Sequence, residues 1–326
     1  MLNQASLGTN PLDPIQAELK AIIDSLERTV VGKRTIMEYL VTAVLAGGHV
    51  LLDDVPGVGK TTIAKTLANT MNLSYKRIQC TPDLLPSDIT GVTIFNPGVQ
   101  QFEFQPGPIF AHLVLADEVN RTSPRTQSAL LEVMEEGQVT VDGVTHQVAG
   151  PFLVIATQNP IEYEGTFPLP ESQLDRFLFR LTIGYPSVDE EVQILTRSDR
   201  PPSADTEPVI SRDRLVELMQ DVSEVHVSPA VRRYIAEIAH ATRHSNRIYL
   251  GMSPRCTLAL YRACQSWALL HSRNYVVPDD VLTLAPHVVE HRLILARSGS
   301  NPSSDLVHEV FQAVLSSVPI PAAETP

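Results

Sequence analysis

The segment Leu51-Leu52-Asp53-Asp54-Val55-Pro56-Gly57-Val58-Gly59-Lys60-Thr61-Thr62 constrains this chain more than any other. Two apolar residues end a buried strand, a Pro/Gly-rich turn follows, and Thr61 to Ala68 has helical character. That order frees backbone N–H groups to wrap a phosphate at a helix N-terminus, where the helix dipole also favours an anion. The cradle is Pro56, Gly57, Val58 and Gly59, with Lys60 to reach the β- and γ-phosphates. The Thr61 hydroxyl, with Thr62 beside it, is placed to ligate Mg²⁺. A strict phosphate-loop pattern has glycine six residues before Lys60, and this chain has Asp54 there.

Two further apolar strands support the loop. His112-Leu113-Val114-Leu115-Ala116-Asp117-Glu118 ends in adjacent carboxylates. In a parallel sheet the strand C-termini face the ligand crevice, so both acids are expected beside the phosphates. Asp117 would hold Mg²⁺ through water, and Glu118 would polarise the attacking water. Phe152-Leu153-Val154-Ile155-Ala156-Thr157 leads to Gln158-Asn159-Pro160, and the Asn159 amide can orient the same water. Beyond it, Leu169-Pro170-Glu171-Ser172-Gln173-Leu174-Asp175-Arg176-Phe177 puts an arginine at a helix end. In this order, on alternating strands and helices, the motifs imply an ATP-hydrolysing P-loop domain.

The chain resembles the MoxR-type AAA+ ATPases from about Glu18 to about Leu295. The resemblance rests on Val30-Val31-Gly32-Lys33, Asp53 to Thr61, and Leu115-Ala116-Asp117-Glu118-Val119-Asn120-Arg121. Ala156 to Pro160, Leu174-Asp175-Arg176-Phe177 and Gly251-Met252-Ser253-Pro254-Arg255 complete it. In that family the first loop glycine is commonly acidic, which accommodates Asp54. The resemblance implies that Val31 and Gly32 line the adenine pocket, and that Lys60 and Thr61 are Walker A. It makes Asp117 and Glu118 Walker B, Asn159 sensor 1, Arg176 the arginine finger and Arg255 the sensor 2 arginine. Arg121 and Arg125 fall near the implied subunit boundary, where a solvated face is expected for each.

Composition limits the functions open to such a chain. Its 326 residues suffice for an α/β domain and a smaller second one. A net charge of −12 argues against broad phosphate-backbone binding, which needs a basic footprint. The short basic pairs Lys76-Arg77 and Arg232-Arg233 read as solvated faces. Cys80, Cys256 and Cys264 lack CxxC spacing and read as buried thiols. No signal peptide is visible in Met1 to Ser6, and Gly47-Gly48-His49 interrupts the apolar run from Tyr39 to Leu52. A cytoplasmic protein without stable membrane insertion is expected.

The expected fold is an α/β P-loop NTPase (AAA+) core with a parallel sheet, plus a small α-helical lid domain. Residues 1–14 read as a mobile leader, 15–185 as the core, and 186–211 as a connecting helix and Pro-rich loop. Residues 212–318 read as the helical lid, with Val231, Ile235, Ile238, Ala239 and Thr242 as one apolar stripe. Leu258, Tyr261, Arg262 and Gln265 mark another helix, Val307 to Leu315 a last one, and 319–326 a tail. Two hairpins are expected inside the core. One spans Val92 to Phe104 around Asn96-Pro97-Gly98; the other runs from Gly137 to Val148 around Asp142-Gly143, a strong turn signal. They resemble the helix 2 insertion and pre-sensor-1 hairpin of the clade holding MoxR, magnesium chelatase and MCM proteins. His146 near the second hairpin reads as a solvated side chain.

The reading is a Mg-dependent ATPase that assembles as a homo-oligomer, a hexameric ring by resemblance, and remodels or activates partner proteins. Such clients often carry von Willebrand factor A domains; the chain has no D-x-S-x-S motif, so that domain would act in trans. Alternatives are a chelatase-like metal-insertion motor, an MCM-like nucleic-acid motor, and an ATP-binding scaffold without turnover. The acidic charge disfavours the nucleic-acid motor. At physiological ionic strength, added single-stranded or duplex DNA should leave phosphate release from ATP unchanged. A several-fold stimulation would contradict the reading.

Overall fold

Apolar runs that need cover on both faces dictate the centre of this molecule. The computed structural model describes residues 12–159, 165–198, 207–296 and 303–321. Helices α1 (Leu12–Thr29) and α2 (Arg34–Leu45) precede strand β1 (His49–Asp53), and α3 (Lys60–Thr70) precedes β2 (Tyr75–Gln79). The short α4 (Pro86–Thr90) leads into β3 (Gly91–Asn96) and β4 (Gln101–Pro106), followed by β5 (Leu113–Asp117) and α5 (Pro124–Glu136). Then come β6 (Gln138–Val141), β7 (Val144–Gln147), β8 (Leu153–Gln158), α6 (Glu171–Leu174) and β9 (Phe177–Leu181). The C-terminal part holds α7 (Val188–Ser198), α8 (Arg212–Glu224), α9 (Pro229–His244), β10 (Ile248–Leu250) and α10 (Pro254–Leu270). It ends with α11 (Pro278–Val289), β11 (Ile294–Leu295) and α12 (Ser304–Ser317).

The main sheet has the order β2-β5-β8-β1-β9, and every pairing in it is parallel. The chain leaves β1 for the far edge, walks back through β5 and β8, and adds β9 on the other side. The crevice beyond the C-terminal ends of β1 and β8 is therefore the expected ligand position. Side chains alternate between the two faces. Val50, Leu52, Leu113, Leu115 and Ile155 pack with α1, α2, α3 and the C-terminal helices. Leu51, Val114, Ala116, Val154 and Ala156 pack with Leu130, Leu131, Val133 and Met134 of α5.

The C-terminal helices form the expected lid. Ser211, Ser228, Ser253 and Ser303 each accept a hydrogen bond from a backbone N–H in the first turn of the helix that follows. These caps, with Pro229 and Pro254 at first helical positions, explain where α8, α9, α10 and α12 begin. The stripe Val231, Ile235, Ile238, Ala239 and Thr242 is buried as expected. In α10 the buried face is Cys256, Leu260, Ala263, Cys264 and Trp267, whereas Leu258 is 59% exposed and Arg262 lies outside it. Lid and core meet around Tyr39, whose ring stacks on Trp267 at 5.2 Å and tilts against Phe179 at 5.7 Å. All three cysteines are buried, and burial pushes the Cys80 thiol up to about 12.

Both hairpins are present. β3 pairs antiparallel with β4, and β6 with β7 around Asp142 and Gly143, both with positive φ. His146 departs from expectation: its ring stacks on Phe104 at 3.9 Å and meets Phe110 edge-on, so it joins the two hairpins. An imidazole face is flat enough to pack on an aromatic ring while its nitrogens stay wet. α1 begins at Leu12, inside the expected leader. Residues 1–11 of that leader, 199–206 of the Pro-rich loop, 322–326 of the tail, and Pro160 lie outside the described residues.

His49, at the start of β1, ties three elements together. Val154 N–H donates to its Nδ1 at 3.0 Å, and its Nε2 meets the Met134 carbonyl at 2.9 Å. Burial lowers its pKa to about 4, and burial also holds that of His291 well below the ordinary value. Between pH 6.5 and about 4 the unfolded chain takes up a proton at His49 that the folded chain refuses. Stability should therefore fall through that window, by on the order of 3 kcal/mol for His49 alone. Urea unfolding at pH 7 and pH 4.5 should show this, with a smaller loss in His49→Gln. Equal losses in both proteins would contradict it.

Candidate active site

The loop after β1 is built to receive an anion. Gly57 and Gly59 have φ of +89° and +86°, a region that costs side-chain-bearing residues strain, and open space lies where a Cβ would be. Gly59 caps α3, so the first N–H groups of that helix face the loop. Pro56, Thr61 and Thr62 are exposed, Val58 is half-buried, and Lys60 is buried with its Nζ donating to the Asp54 carbonyl at 2.8 Å.

Asp54 has a definite task where the generic pattern has glycine. Its carboxylate accepts from Gly184 N–H at 3.2 Å and from Ile183 N–H. It fastens the phosphate loop to the turn after β9, a bond that only a side-chain acceptor can make. Nearby, Val31 is buried, and the Glu190 carboxylate of α7 occupies the space where a Cβ on Gly32 would lie. Lys33 donates to the Tyr185 carbonyl at 3.1 Å and lies 3.7 Å from Glu190. The first turn of α7 thus covers the Val31-Gly32 segment.

Asp117 and Glu118 lie at the end of β5, one strand away from β1 with β8 between them. Thr157 of β8 fixes both acids with one hydroxyl. Its Oγ1 donates to Asp117 Oδ1 at 2.6 Å and accepts from Glu118 N–H at 2.9 Å. Glu118 has φ +59°, a left-handed conformation that costs a non-glycine residue about 1–2 kcal/mol. The Thr157 bond holds it there. Asn159, at the end of β8, is buried, and Asn120 Nδ2 donates to its carbonyl at 3.5 Å.

Three polar residues at the acids were not singled out as site residues from sequence. Arg77, read as part of a solvated face, instead pairs with Asp117 Oδ2 at 2.6 Å while donating to Gln79 Oε1. Gln79 Nε2 in turn donates to Glu118 Oε2 at 3.0 Å, and Arg121 reaches the same oxygen at 3.0 Å. β2 is an edge strand paired to β5 with Gln79 opposite Asp117, so its C-terminal side chains meet the acids. That neighbour relation joins residues about forty positions apart, and no local pattern announces it. Arg125 is exposed, as expected.

Arg176 and Arg255 lie elsewhere. Arg176 precedes β9, and with Gly47, Gly48 and Arg255 it lines a cleft of about 250 Å³ at the N-terminal end of β1. Lys60 Nζ sits at the C-terminal end, beside Asp54. Five residue steps of ~3.3 Å separate His49, on the cleft, from Asp54, so about 16 Å of strand lies between the arginine cleft and the Lys60 end. Both arginines converge on one carboxylate, Glu135 of α5.

Thr61 and Asp117 offer hard oxygen donors beside the phosphate cradle. That suits Mg²⁺, which is commonly held by one or two protein oxygens together with substrate phosphates and water. No cluster of three or more His, Cys, Asp or Glu suited to a metal occurs among the described residues. No described helix is long and apolar enough to cross a membrane.

A glycine cradle facing paired acids across a five-stranded parallel sheet defines a P-loop nucleotide-binding protein. Residues 49–179 match the ATPase family associated with various cellular activities (AAA), and residues 240–312 match an AAA lid domain. The chain is 51% identical over 296 residues to the uncharacterized YeaC of Bacillus subtilis, across 90% of this chain and 92% of that one. It is 42% identical over 287 residues to the chaperone MoxR1 of Mycobacterium tuberculosis, across 85% and 76%. A solved structure from Cytophaga hutchinsonii superposes with a TM-score of 0.88 at 36% identity, covering 95% of this chain and 96% of that one. The chain belongs to the MoxR-type AAA+ ATPases.

Thr157→Val removes the shared hydroxyl at nearly constant volume and leaves a buried acceptor and donor without their partner. It should cost about 1–3 kcal/mol in denaturant unfolding, and Thr157→Ser should recover most of it. Equal stability of the Val variant and the parent would contradict the assigned role.

Proposed function

We propose that the protein hydrolyses ATP to ADP and phosphate within a ring of identical subunits, and that turnover drives remodelling of protein clients. The observation that carries the hydrolytic reading is the Thr157 hydroxyl, which fixes Asp117 and Glu118 together beside the Lys60 loop. Lys60 and the loop N–H groups bind the β- and γ-phosphates, and Val31 and Gly32 flank the base. Thr61 and Asp117 would hold Mg²⁺, which when bound neutralises phosphate charge. Glu118 accepts the proton of a water that attacks the γ-phosphorus as the bond to the β,γ-bridging oxygen breaks. Asn159 orients that water.

Arg176 and Arg255 would serve the nucleotide of the adjoining subunit, since both lie at the opposite end of β1 from Lys60. A guanidinium at the γ-phosphate stabilises charge that develops in the transition state. The β3–β4 hairpin supports the client-handling part of the reading. Phe95 is 52% exposed and Phe102 74% exposed, in edge contact with each other at 5.3 Å. Paired exposed aromatics suit transient grip on apolar segments of a protein. The chaperone name of the mycobacterial relative supports the same reading. Clients with a von Willebrand factor A domain, a hexameric count and cytoplasmic residence belong to this proposal.

Two variants separate binding from chemistry. Lys60→Ala should abolish tight binding of a fluorescent ATP analogue. Glu118→Gln should bind it within about twofold of the parent yet release phosphate roughly 10²–10⁴-fold more slowly, the usual span for losing a positioned base. Parental turnover in Glu118→Gln would refute the assignment, and so would absence of ATP hydrolysis by the parent oligomer.

A further inference from the structure

We propose that Glu135 is a positioning residue that holds Arg176 and Arg255 as one unit, aimed at the phosphates of a neighbouring subunit's nucleotide. This rests on the reading that those arginines act across the subunit boundary.

Glu135 stands in the last turn of α5 and divides its two oxygens between the arginines. Oε2 lies 2.9 Å from Arg176 Nε, and Oε1 accepts from Arg255 Nη2. The Arg255 hydrogen bond holds its carboxyl below the usual range, with Arg176 adding to the effect, so it is a full anion at neutral pH. The atoms engaged explain why this is support rather than capture. Arg176 Nε meets Glu135 as a charge contact without a hydrogen bond, which leaves the two terminal nitrogens of Arg176 for a second acceptor, and Arg255 keeps Nη1. A guanidinium drawn toward a carboxylate on its Nε side loses rotamer freedom while its phosphate-binding fork stays open.

The surroundings select an anion. On α10, Arg255, Ala259 and Arg262 follow each other at spacings of four and three, so they share a helix face, and all three line the cleft. Ala259 leaves room between the two guanidiniums, and Gly47 and Gly48, which also line the cleft, add no side chains to it. Arg292 also reaches the cleft but is neutralised by Asp175 at 2.7 Å, and His49 is neutral by burial. The remaining three arginines face the single carboxylate of Glu135. The cleft thus keeps an excess of two positive charges, which suits a polyphosphate and repels a cation.

The segment carrying Arg176 is fixed from its other side too. Ser253, two residues before Arg255, donates to the Asp175 carboxylate at 3.2 Å. Arg292 donates to that carboxylate and to the Asp175 carbonyl at 3.1 Å. Backbone position is therefore set by Asp175, and Glu135 is left to set side-chain direction. A merely structural Glu135 would fail in a different way from a positioning one.

The experiment compares Glu135→Gln, Glu135→Asp, Arg176→Ala and the Glu135→Gln/Arg176→Ala double variant in the assembled protein. Each is measured for affinity of a fluorescent ATP analogue and for KM and kcat of phosphate release. Glu135→Gln should keep nucleotide affinity and KM within about twofold and lose roughly 10–100-fold in kcat, the scale expected when a catalytic group is displaced by about 1 Å. Glu135→Asp should recover part of that loss. The double variant should be slower than Arg176→Ala alone by less than the Glu135→Gln factor, because the part of the Glu135 effect that passes through Arg176 is already lost while the part through Arg255 remains. Parental kcat in Glu135→Gln beside an inactive Arg176→Ala would overturn this inference and leave the reading of Arg176 intact. Full activity in Arg176→Ala would overturn both. Matched losses of nucleotide affinity and kcat in Glu135→Gln, or additive losses in the double variant, would also overturn it.

Discussion

The buried guanidinium of Arg292 is the contact on which the geometry of this molecule depends. It stands just after α11 of the lid, donates to Asp175 Oδ1 at 2.7 Å, and spends its other donors on the carbonyls of Asp175, Phe177, Leu178 and Val288. Four of these acceptors belong to the segment that enters β9, and Val288 belongs to α11. An arginine buried this completely is tolerable only with its donors satisfied, and removing one partner of such a pair typically costs ~3–5 kcal/mol. Lid and sheet are welded at the start of β9, and Ser253 adds a second bond to the same carboxylate.

That weld places the two halves of the proposed catalytic apparatus at opposite ends of the sheet. The C-terminal ends of β1, β5 and β8 carry Lys60, Asp117, Glu118 and Asn159, where Thr157 and Asp54 supply the bonds that hold loop and acids in place. The N-terminal ends of β1 and β9 carry Arg176, with Arg255 brought beside it by the lid. Helix α5 runs from just beyond the acids to Glu135, and its 13 residues span about 18 Å at 1.5 Å per residue. A parallel sheet with loops at both ends is what gives one chain two such faces, which the proposed function assigns to its own nucleotide and to a neighbour's.

Much of this was legible in the sequence because it is local. The phosphate loop, the apolar strands ending in Asp117-Glu118 and Asn159, and the Asp142-Gly143 hairpin each occupy a dozen residues or fewer. Asp54 was visible only as a departure, since its partners at Ile183 and Gly184 lie about 130 positions away. Arg77, Glu135 and Arg292 were not singled out for the same physical reason. A charged residue in a sequence carries no direction, and its partner is chosen by tertiary packing. His146 was misread because hydrophilicity suggested water, whereas Phe104 of the other hairpin offered a ring to stack on. The face of α10 shows a related limit: burial there follows Cys256, Leu260, Ala263 and Cys264, where three of the four are small and give a weak apolar period.

A site completed across a subunit boundary should be restored when two variants with different lesions share one oligomer. Arg176→Ala keeps its own cradle and acids, whereas Lys60→Ala keeps its arginine face; each alone should be nearly inactive. Co-assembled in mixed oligomers verified by mass, they should recover a substantial fraction of parental phosphate release, because some boundaries pair an intact pocket with an intact arginine. Mixed oligomers that remain as inactive as either variant alone would contradict the account.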